Sequence, residues 1–156
     1  MEFTVRPIAA ADTARLIAAH DALSPEARRL RFFRPHPVLS EAEADHFTHV
    51  DHVDREAFVA TVGDQIVAVG RYDRTGPSVA EVAIVVGDNF QGHGLATRIL
   101  NELGHHAREV GITTFEADTF GDNLPAITLL RHWAPERKTS FDSGFLHFEM
   151  AIPEAC

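Results

Sequence analysis

Cysteine is almost absent from this chain of 156 residues. The single cysteine is the last residue, Cys156, so no disulfide can form within the chain. Long apolar runs are missing too: stretches such as Ala80–Val86 have the length of a strand, whereas a membrane-spanning helix needs about 20 apolar residues. The N-terminal stretch MEFTVRPI lacks the apolar core of a secretory signal. We therefore expect a cytoplasmic protein.

Repeats, low-complexity tracts and linkers rich in glycine, proline or serine are absent as well. A chain of 156 residues fits one domain with a core of ordinary size. The composition, 45% hydrophobic and 24% charged, is that of a globular protein. We expect a single domain that covers residues 1–156.

Positive charge is scarce: 14 lysines and arginines stand against 23 aspartates and glutamates, a net charge of −9 with neutral histidines. Such a surface disfavours nucleic acid and anionic lipid, and it tolerates a partner that carries amines. The exception is Arg28–Arg34, with four arginines and two phenylalanines. It leaves open a nucleic-acid patch, although surface and core positions of one segment explain it equally well. We expect no nucleic-acid or membrane partner, and either a monomer or a homodimer.

Hydrophobic periodicity predicts the element order β-α-α-α-β-β-β-α-β-α-β, with room for one further strand around Arg137–Phe141. This order predicts an α+β fold, a mixed central sheet with helices on both faces. The predicted strands are Phe3–Ile8, Ala57–Val62, Ile66–Tyr72, Val79–Val86, Thr113–Thr119 and Phe145–Ile152. The predicted helices are Ala11–Leu23, one that begins at Ser24 and is broken by Pro35, Glu41–Val50, Thr97–Val110 and Leu124–His132.

The stretch Gly87–Leu100, GDNFQGHGLATRIL, places three glycines in eight residues at the mouth of a predicted helix. Gly92 and Gly94 lack Cβ atoms, so a phosphate can approach the N–H groups that a helix N-terminus leaves free. Plain turn chemistry is the alternative. The dinucleotide fingerprint GxGxxG fails because Thr97 stands at its last position, and no Gly-Lys-Ser/Thr follows to make a Walker loop. The pattern that fits is Gln91-x-x-Gly94-x-Ala96.

That spacing resembles the pyrophosphate-binding motif of the GNAT acetyltransferase superfamily: Gln or Arg, two residues, Gly, one residue, Gly or Ala. An apolar strand precedes it, a long amphipathic helix follows it, and the element order over essentially the whole chain is similar to the family. Four stretches resemble more narrowly the catalytic domain of bacterial protein lysine acetyltransferases: LSPEARRLRFF (Leu23–Phe33), DREAFVA (Asp54–Ala60), AEVAIVVGDNFQGHGLATRIL (from Ala80) and Gly121-Asp122-Asn123.

The resemblance implies that the domain is an N-acetyltransferase that uses acetyl-coenzyme A as cosubstrate. The main chain of Ile84, Val85 and Val86 would pair with the pantetheine arm as an added strand, since a central strand splayed from its neighbour exposes N–H and C=O groups. Asn123 matches the family asparagine that contacts the same arm. The pyrophosphate would lie on seven consecutive residues: Gln91, Gly92, His93, Gly94, Leu95, Ala96 and Thr97. Of these, His93 stands where the family often has a basic residue.

Glu81 is the one charged residue in the apolar run Val79–Val86. Alternation puts it on one face with Ala83 and Val85, where burial of an ionised carboxylate is costly and favours uptake of a proton. The resemblance implies that Glu81 is the general base that deprotonates the acceptor ammonium, directly or through water, before the amine attacks the thioester. A strand N–H near Ile84 or Val85 would stabilise the oxyanion. The alternative is an acid at the sheet's edge, paired with an arginine such as Arg71.

A general acid for the departing thiolate is not evident. Many family members use a tyrosine in the short helix that corresponds to Leu124–Leu130, which has none here, and Tyr72 lies in another element. Water is the remaining donor, unless the thiolate needs none. Phe32, Phe33 and Phe47 are expected in the core or as a lid over the acceptor cleft.

The expected acceptor is a protein lysine, from the resemblance alone. Two other functions stay open: a non-catalytic acyl-coenzyme A-binding module that regulates a partner, which the missing tyrosine favours, and an acetyltransferase of small amines such as a polyamine or an aminoglycoside. A metal is not expected. His46, His49 and His52 recur in steps of three, whereas zinc pairs on helices favour steps of four.

Overall fold

The computed structural model describes residues 1–155, and Cys156 lies outside the described residues. A seven-stranded sheet in the order β1-β2-β3-β4-β5-β7-β6 organises the chain. Strands β4 and β5 run parallel and all other neighbours run antiparallel, so the sheet is mixed, as predicted. The strands are β1 (Thr4–Pro7), β2 (Arg55–Val62), β3 (Gln65–Gly76), β4 (Val79–Val86), β5 (Thr114–Phe120), β6 (Arg137–Asp142) and β7 (Phe145–Ala151). The further strand expected around residues 137–141 is therefore confirmed as β6.

Side-chain caps decide where several helices begin. Ser24 Oγ accepts a hydrogen bond from Ala27 N, and Ser40 forms a reciprocal capping box with Glu43, so the second and third helices start where the sequence predicts. The helices are α1 (Thr13–Asp21), α2 (Pro25–Phe32), α3 (Glu41–Thr48), α4 (Leu95–Glu109) and α5 (Leu124–Trp133). None of the helices within residues 1–155 is long and apolar enough to cross a membrane.

The first helix begins at Thr13, two residues later than predicted, and Asp12 just before it binds Arg6. Ala10–Asp12 form a short 3-10 turn, and the Asp12 carboxylate accepts hydrogen bonds of 2.8 Å from both terminal nitrogens of Arg6. A further bond comes from Ala9 N. The hydrogen bonds from Arg6 hold the pKa of Asp12, which is 1% exposed, below its ordinary value. Asp12 thus ties α1 to β1.

Two cores lie on the two faces of the sheet. On one face α4 and α5 cover a core that includes Tyr72, Phe115 and Phe148. On the other face α1 and α3 cover a smaller core around Ile8, Val59 and Ile66. Helices thus pack on both faces, which confirms the predicted α+β architecture.

The close approach of α4 to the sheet depends on Gly70 in β3. A Cβ atom at this position would collide with Ile99 Cγ2 and would lie 3.2 Å from both Ile84 Cγ1 and Leu103 Cδ1. The neighbours Ile99 and Leu103 are fully buried and cannot move aside without cost.

We predict that Gly70→Ala lowers the free energy of unfolding by about 1–3 kcal/mol because the added methyl overpacks the α4 interface. Gly76→Ala, in the same strand, is the control, since its Cβ would meet only Val79 Cβ at 3.9 Å. Urea unfolding of both variants measures the difference. Equal midpoints for the two variants would show that α4 has room to shift.

Strands β4 and β5 stay together only at their first residues. Their register runs Val79–Thr114, Ala80–Phe115 and Glu81–Glu116 and then ends. From there β4 keeps its pairing with β3 up to Val86, while β5 keeps its pairing with β7 up to Phe120. The two halves of the sheet therefore part after Glu81 and leave an opening between their central strands.

Candidate active site

A cleft of about 510 Å³ fills the opening between β4 and β5. Residues 82–86 of β4 form one wall, and the first turns of α4 and α5 close the ends. Ala27, Leu30, Arg31 and Phe33 line it from the α2 side. Because β5 has turned away, the backbone N–H and C=O groups on this edge of β4 have no strand partner. An extended ligand can therefore pair with β4.

The glycine turn leaves the mouth of α4 open. Gly92 and Gly94 have φ angles of +83° and +73°, a conformation that favours glycine, and a Cβ at either would meet nothing within 4 Å. Gly94 is the N-cap of α4 and provides no side-chain cap for the first-turn N–H groups. These donors and the positive end of the helix dipole form a seat for an anion.

The structure brings almost all the predicted coenzyme residues to this cleft. Those that line it are Ile84, Val85, Val86, Gln91, Gly92, Gly94, Leu95, Ala96, Thr97 and Asn123. His93 does not line it: its ring lies 5.2 Å from the ring of Phe3, near the start of β1. Asn123 Oδ1 accepts a bond from Ala126 N and caps α5, so its amide nitrogen is the group it can offer to a ligand.

Glu81 lines the cleft, but the expectation that it is buried is wrong, because the side chain is exposed. The alternation correctly separates Glu81 from the buried Ala80 and Val82, but it does not determine how exposed the opposite face of β4 is. The alternative partner, Arg71, directs its guanidinium to Phe47 O at 3.2 Å instead. Across the described residues Glu81 forms no ion pair. Its carboxylate is thus free to meet a cationic group.

A row of acids continues from Glu81 across the sheet. The register places Glu81 beside Glu116 on β5, and Glu116 beside Glu149 on β7. Directly paired residues face the same side, so the three carboxylates share one face. Asp73 precedes the row on β3, where Arg55 binds it at 3.1 Å. The face beside the cleft therefore attracts positive charge.

Tyr72 does not reach the cleft. It is fully buried on the α4 side of the sheet and donates to Val53 O at 3.3 Å, and burial raises the pKa of its phenol. A hydroxyl that the sequence reasoning did not single out is that of Thr119, which lines the cleft with its Oγ1 buried and without a hydrogen-bond partner among residues 1–155. The sequence could have indicated this position, because Thr119 follows Phe115 and Ala117 in the alternation that places side chains on the buried face of β5.

The arginines of Arg28–Arg34 do not form one patch. Arg28 donates to His20 O and Asp21 O, and Arg29 pairs with Glu26 at 2.7 Å. Arg31 turns toward Phe32, with its guanidinium carbon 4.6 Å from the ring centre. Three of the four arginines of this segment thus make separate contacts around α2.

Within residues 1–155 no group of three or more histidine, cysteine, aspartate or glutamate side chains is arranged to hold a metal ion. Two of the histidines considered as metal ligands, His49 and His52, each contact a different partner. His49 Nδ1 lies 2.7 Å from Asp45 O, whereas His52 Nδ1 lies 2.8 Å from Glu56 Oε1.

Known proteins share both the sequence pattern and the fold of this chain. Residues 19–133 match the model of the acetyltransferase (GNAT) family. The chain belongs to this family. The fold is also that of the solved GNAT domain of S. lividans PAT, which shares 35% identity and superposes with a TM-score of 0.88 over 94% of this chain and 89% of that one.

A curated relative and a solved structure with the same fold are both longer than this chain. The chain is 30% identical to the acetyltransferase Pat of Mycolicibacterium smegmatis over 97% of its own length and 46% of that protein. A cAMP-binding acyltransferase from Mycobacterium smegmatis shares the fold at 24% identity, with a TM-score of 0.68 over 98% of this chain and 44% of that one. The chain thus spans about half the length of each of these two proteins. Its similarity to bacterial protein acetyltransferases is confirmed.

A pH-sensitive pair lies next to the cleft. His147 Nδ1 is 2.7 Å from Asp118 Oδ1, and Asp118 lines the cleft. The hydrogen bond to this carboxylate raises the pKa of His147. A raised pKa stabilises the folded chain at pH values below the ordinary histidine pKa, and this stabilisation disappears as the pH rises through the folded value.

We predict that Asp118→Asn lowers the pKa of His147, as measured by NMR titration of the ring protons. Asp122→Asn, which removes an exposed carboxylate without this contact, is the control and should move the titration much less. The same shift in both variants would mean that overall charge, and not the hydrogen bond, sets the pKa of His147.

Proposed function

We propose that the chain is an acetyl-coenzyme A-dependent N-acetyltransferase that acts on protein lysine in the cytoplasm, and that residues 1–156 form its one catalytic domain. The observation that carries this proposal is the unpaired edge of β4, residues 82–86, directly beside the uncapped mouth of α4. Membership of the acetyltransferase family supports the reaction type.

The coenzyme would lie along the cleft. Its pyrophosphate would accept hydrogen bonds from the backbone of Gln91–Thr97, where the two positive-φ glycines remove side chains from the approach. The pantetheine arm would pair with the main chain of Ile84, Val85 and Val86, while Asn123 offers its amide nitrogen from the other wall. We assign His93 a place at the rim only, since it lies outside the lining of the cleft.

Glu81 would act as the general base. Its carboxylate takes a proton from the acceptor ammonium, directly or through water, and the neutral amine then attacks the thioester carbonyl carbon. The new C–N bond forms and the C–S bond breaks, so that the coenzyme leaves as a thiolate. The nitrogen releases its surplus proton to water, and the thiolate takes a proton from water. A backbone N–H near Ile84 or Val85 would stabilise the oxyanion between these two steps.

The acidic row supports a cationic acceptor. Glu81, Glu116 and Glu149 lie on one face beside the cleft, where a lysine side chain would approach the thioester through negative potential. A polyamine or an aminoglycoside would benefit from the same potential. The choice of a protein lysine therefore rests on the similarity to bacterial protein acetyltransferases, in sequence and in fold.

We predict that Glu81→Gln lowers kcat by roughly 100-fold or more while coenzyme binding is retained, because the amide cannot accept the ammonium proton. Glu149→Gln is the matched control: it removes an equal charge from the same row, two strands away. Steady-state kinetics and calorimetric titration with coenzyme A separate the two effects. Equal loss of activity in both variants would assign Glu81 an electrostatic role only.

We predict that Gly92→Ala weakens coenzyme A binding, because the added methyl group strains the turn and stands at the phosphate seat. Gly111→Ala is its control: φ is +86° at Gly111 and +83° at Gly92, and both Cβ sites are open, but Gly111 lies at the far end of α4. Both variants should lose similar stability, about 1 kcal/mol. Calorimetry with coenzyme A should show weaker binding for Gly92→Ala alone.

The two alternative functions, a regulatory module and a small-amine acetyltransferase, predict different experimental results. A regulatory acyl-coenzyme A-binding module would bind the coenzyme tightly and transfer acetyl to no amine in a broad panel. A small-amine acetyltransferase would turn over polyamines or aminoglycosides in the absence of any protein. Incubation with labelled acetyl-coenzyme A and cell lysate, followed by identification of the acetylated lysines or amines, distinguishes them from the proposed function.

A further inference from the structure

Arg71 is a buried cation without an ion-pair partner among residues 1–155. It lies in β3, is 5% exposed, and holds its guanidinium carbon 4.3 Å from the centre of the Phe47 ring. Its hydrogen bond goes to Phe47 O, at 3.2 Å. Over residues 1–155 no carboxylate comes within ion-pair distance of it. A guanidinium carries five N–H donors, so most of the donors of Arg71 have no hydrogen-bond partner among residues 1–155.

A second cation faces the same ring. The guanidinium carbon of Arg31, from α2, lies 6.0 Å from the centre of the Phe47 ring. Burial, followed by the positive charge of Arg31, lowers the pKa of Arg71 to about 9. Burial also lowers the pKa of Arg31. Two like charges held together in a protein interior are costly unless an anion lies between them.

Among residues 1–155 no carboxylate forms an ion pair with Arg31 or Arg71. Asp73 and Glu81 are the carboxylates whose negative charges act on Arg31, and the charge of Asp73 also acts on Arg71. Asp73 is bound by Arg55, with Arg55 Nε 3.1 Å from Asp73 Oδ1. Glu81 lines the coenzyme cleft and forms no ion pair with either arginine within the described residues. The Arg31–Arg71 pair is therefore open to an anion from outside the chain.

A cavity gives such an anion a place. It encloses about 180 Å³, and Arg31 and Arg71 line it together with apolar side chains that include Leu16, Leu39 and Val69. Its volume is about a third of that of the coenzyme cleft, which is about 510 Å³. Arg31, Val85 and Phe90 line both spaces, so the two adjoin. The smaller cavity suits a short acidic group and is too small for the coenzyme.

The cavity lies within reach of an acceptor at Glu81. Arg71 stands opposite Ala83, and Asp73 stands opposite Glu81, on the same face of the sheet. The Arg71–Ala83 pair and the Asp73–Glu81 pair are two residues apart along the strands, which is about 7 Å. A molecule with an amine at Glu81 can thus place a carboxylate near the two arginines. The seat for the coenzyme phosphates lies elsewhere, at the turn beyond Val86.

We propose that Arg31 and Arg71 bind a carboxylate of the acceptor and so select acceptors that carry an acidic group close to the reactive amine. This inference rests on the proposed acetyl transfer and names the acceptor class for the same site. A planar guanidinium binds a carboxylate in bidentate fashion, and two of them around one cavity favour it over a neutral group. The carboxylate has two sources: an acidic residue near a lysine in a protein, or the α-carboxylate of a free amino acid.

The first experiment measures binding without turnover, with glutarate as the probe. Glutarate should bind the coenzyme-loaded wild-type protein in calorimetry, and glutaramide should not. Arg31→Gln and Arg71→Gln should each weaken glutarate binding by roughly tenfold or more. Arg28→Gln is the control on α2, because its guanidinium donates to His20 O and Asp21 O. Arg71→Lys, which keeps a positive charge, guards against an effect of misfolding and should bind glutarate more weakly than wild type.

The second experiment identifies the source of the carboxylate. Lysine peptides that differ only by glutamate or glutamine next to the lysine are compared in kcat/KM, and free lysine is compared with lysinamide. We expect one pair to show a roughly tenfold preference for the carboxylate in wild type and none in Arg71→Gln. A purely structural role of the arginine would lower both members of a pair equally. Preference in the peptide pair assigns a protein acceptor, and preference in the free pair assigns an amino acid.

Glutarate binding that is absent from wild type, or unchanged in Arg31→Gln and Arg71→Gln, overturns the carboxylate site. Equal kcat/KM within both pairs overturns its role in acceptor choice. Glutarate binding together with no transfer to any amine would instead refute the proposed function, and with it the acceptor role, while the binding data still support an anion site. The failures of the two proposals are thus distinguishable.

Discussion

The parting of β4 and β5 after Glu81 is the constraint on which the rest of the molecule depends. Each strand is fully paired on its other side, β4 with β3 up to Val86 and β5 with β7 up to Phe120. Because each half of the sheet is complete in itself, the two can separate without disturbing either. The cost is a set of unpaired backbone groups on β4, which stay in contact with water in the open cleft. These same groups give a ligand its extended binding edge.

The alternation of β4 divides two tasks between its faces. Val82, Ile84 and Val86 face α4, and Gly70 in the neighbouring strand allows that helix to lie close. This packing fixes the axis of α4, so the uncapped helix mouth meets the end of the strand. Glu81, Ala83 and Val85 face the other side, where α2 brings Arg31 to the cleft. One strand thus carries the donor edge and the candidate base.

The sequence predicted the elements and the cleft residues well, because both depend on local patterns. Cap residues such as Ser24 and Ser40, and the turn Gln91–Thr97, lie next to the helices that they start. The exposure of Glu81 could not be predicted in the same way. Periodicity assigns a residue to a face, but it does not tell whether a distant helix covers that face. The predicted burial of Glu81 was wrong for this reason. The start of α1 was predicted two residues too early, and the bond between Asp12 and Arg6 just before it is a tertiary contact that local patterns do not reveal.

The sequence indicates the acetyl donor but not the acceptor, and the reason is again the contrast between local patterns and tertiary contacts. In the proposed function the donor is recognised by backbone groups of two adjoining segments, Val82–Val86 and Gln91–Thr97, so the sequence signature of its site is contiguous. The proposed acceptor site draws on side chains of separate elements: Arg31 on α2, Phe47 on α3 and Arg71 on β3. No short motif contains these three residues, and each alone resembles an ordinary surface or core position. They can be recognised as a candidate anion site only in the folded structure, where two guanidinium groups lie around one ring beside a cavity. A backbone-mediated site can therefore be recognised from sequence, whereas a side-chain site assembled across the fold requires the structure.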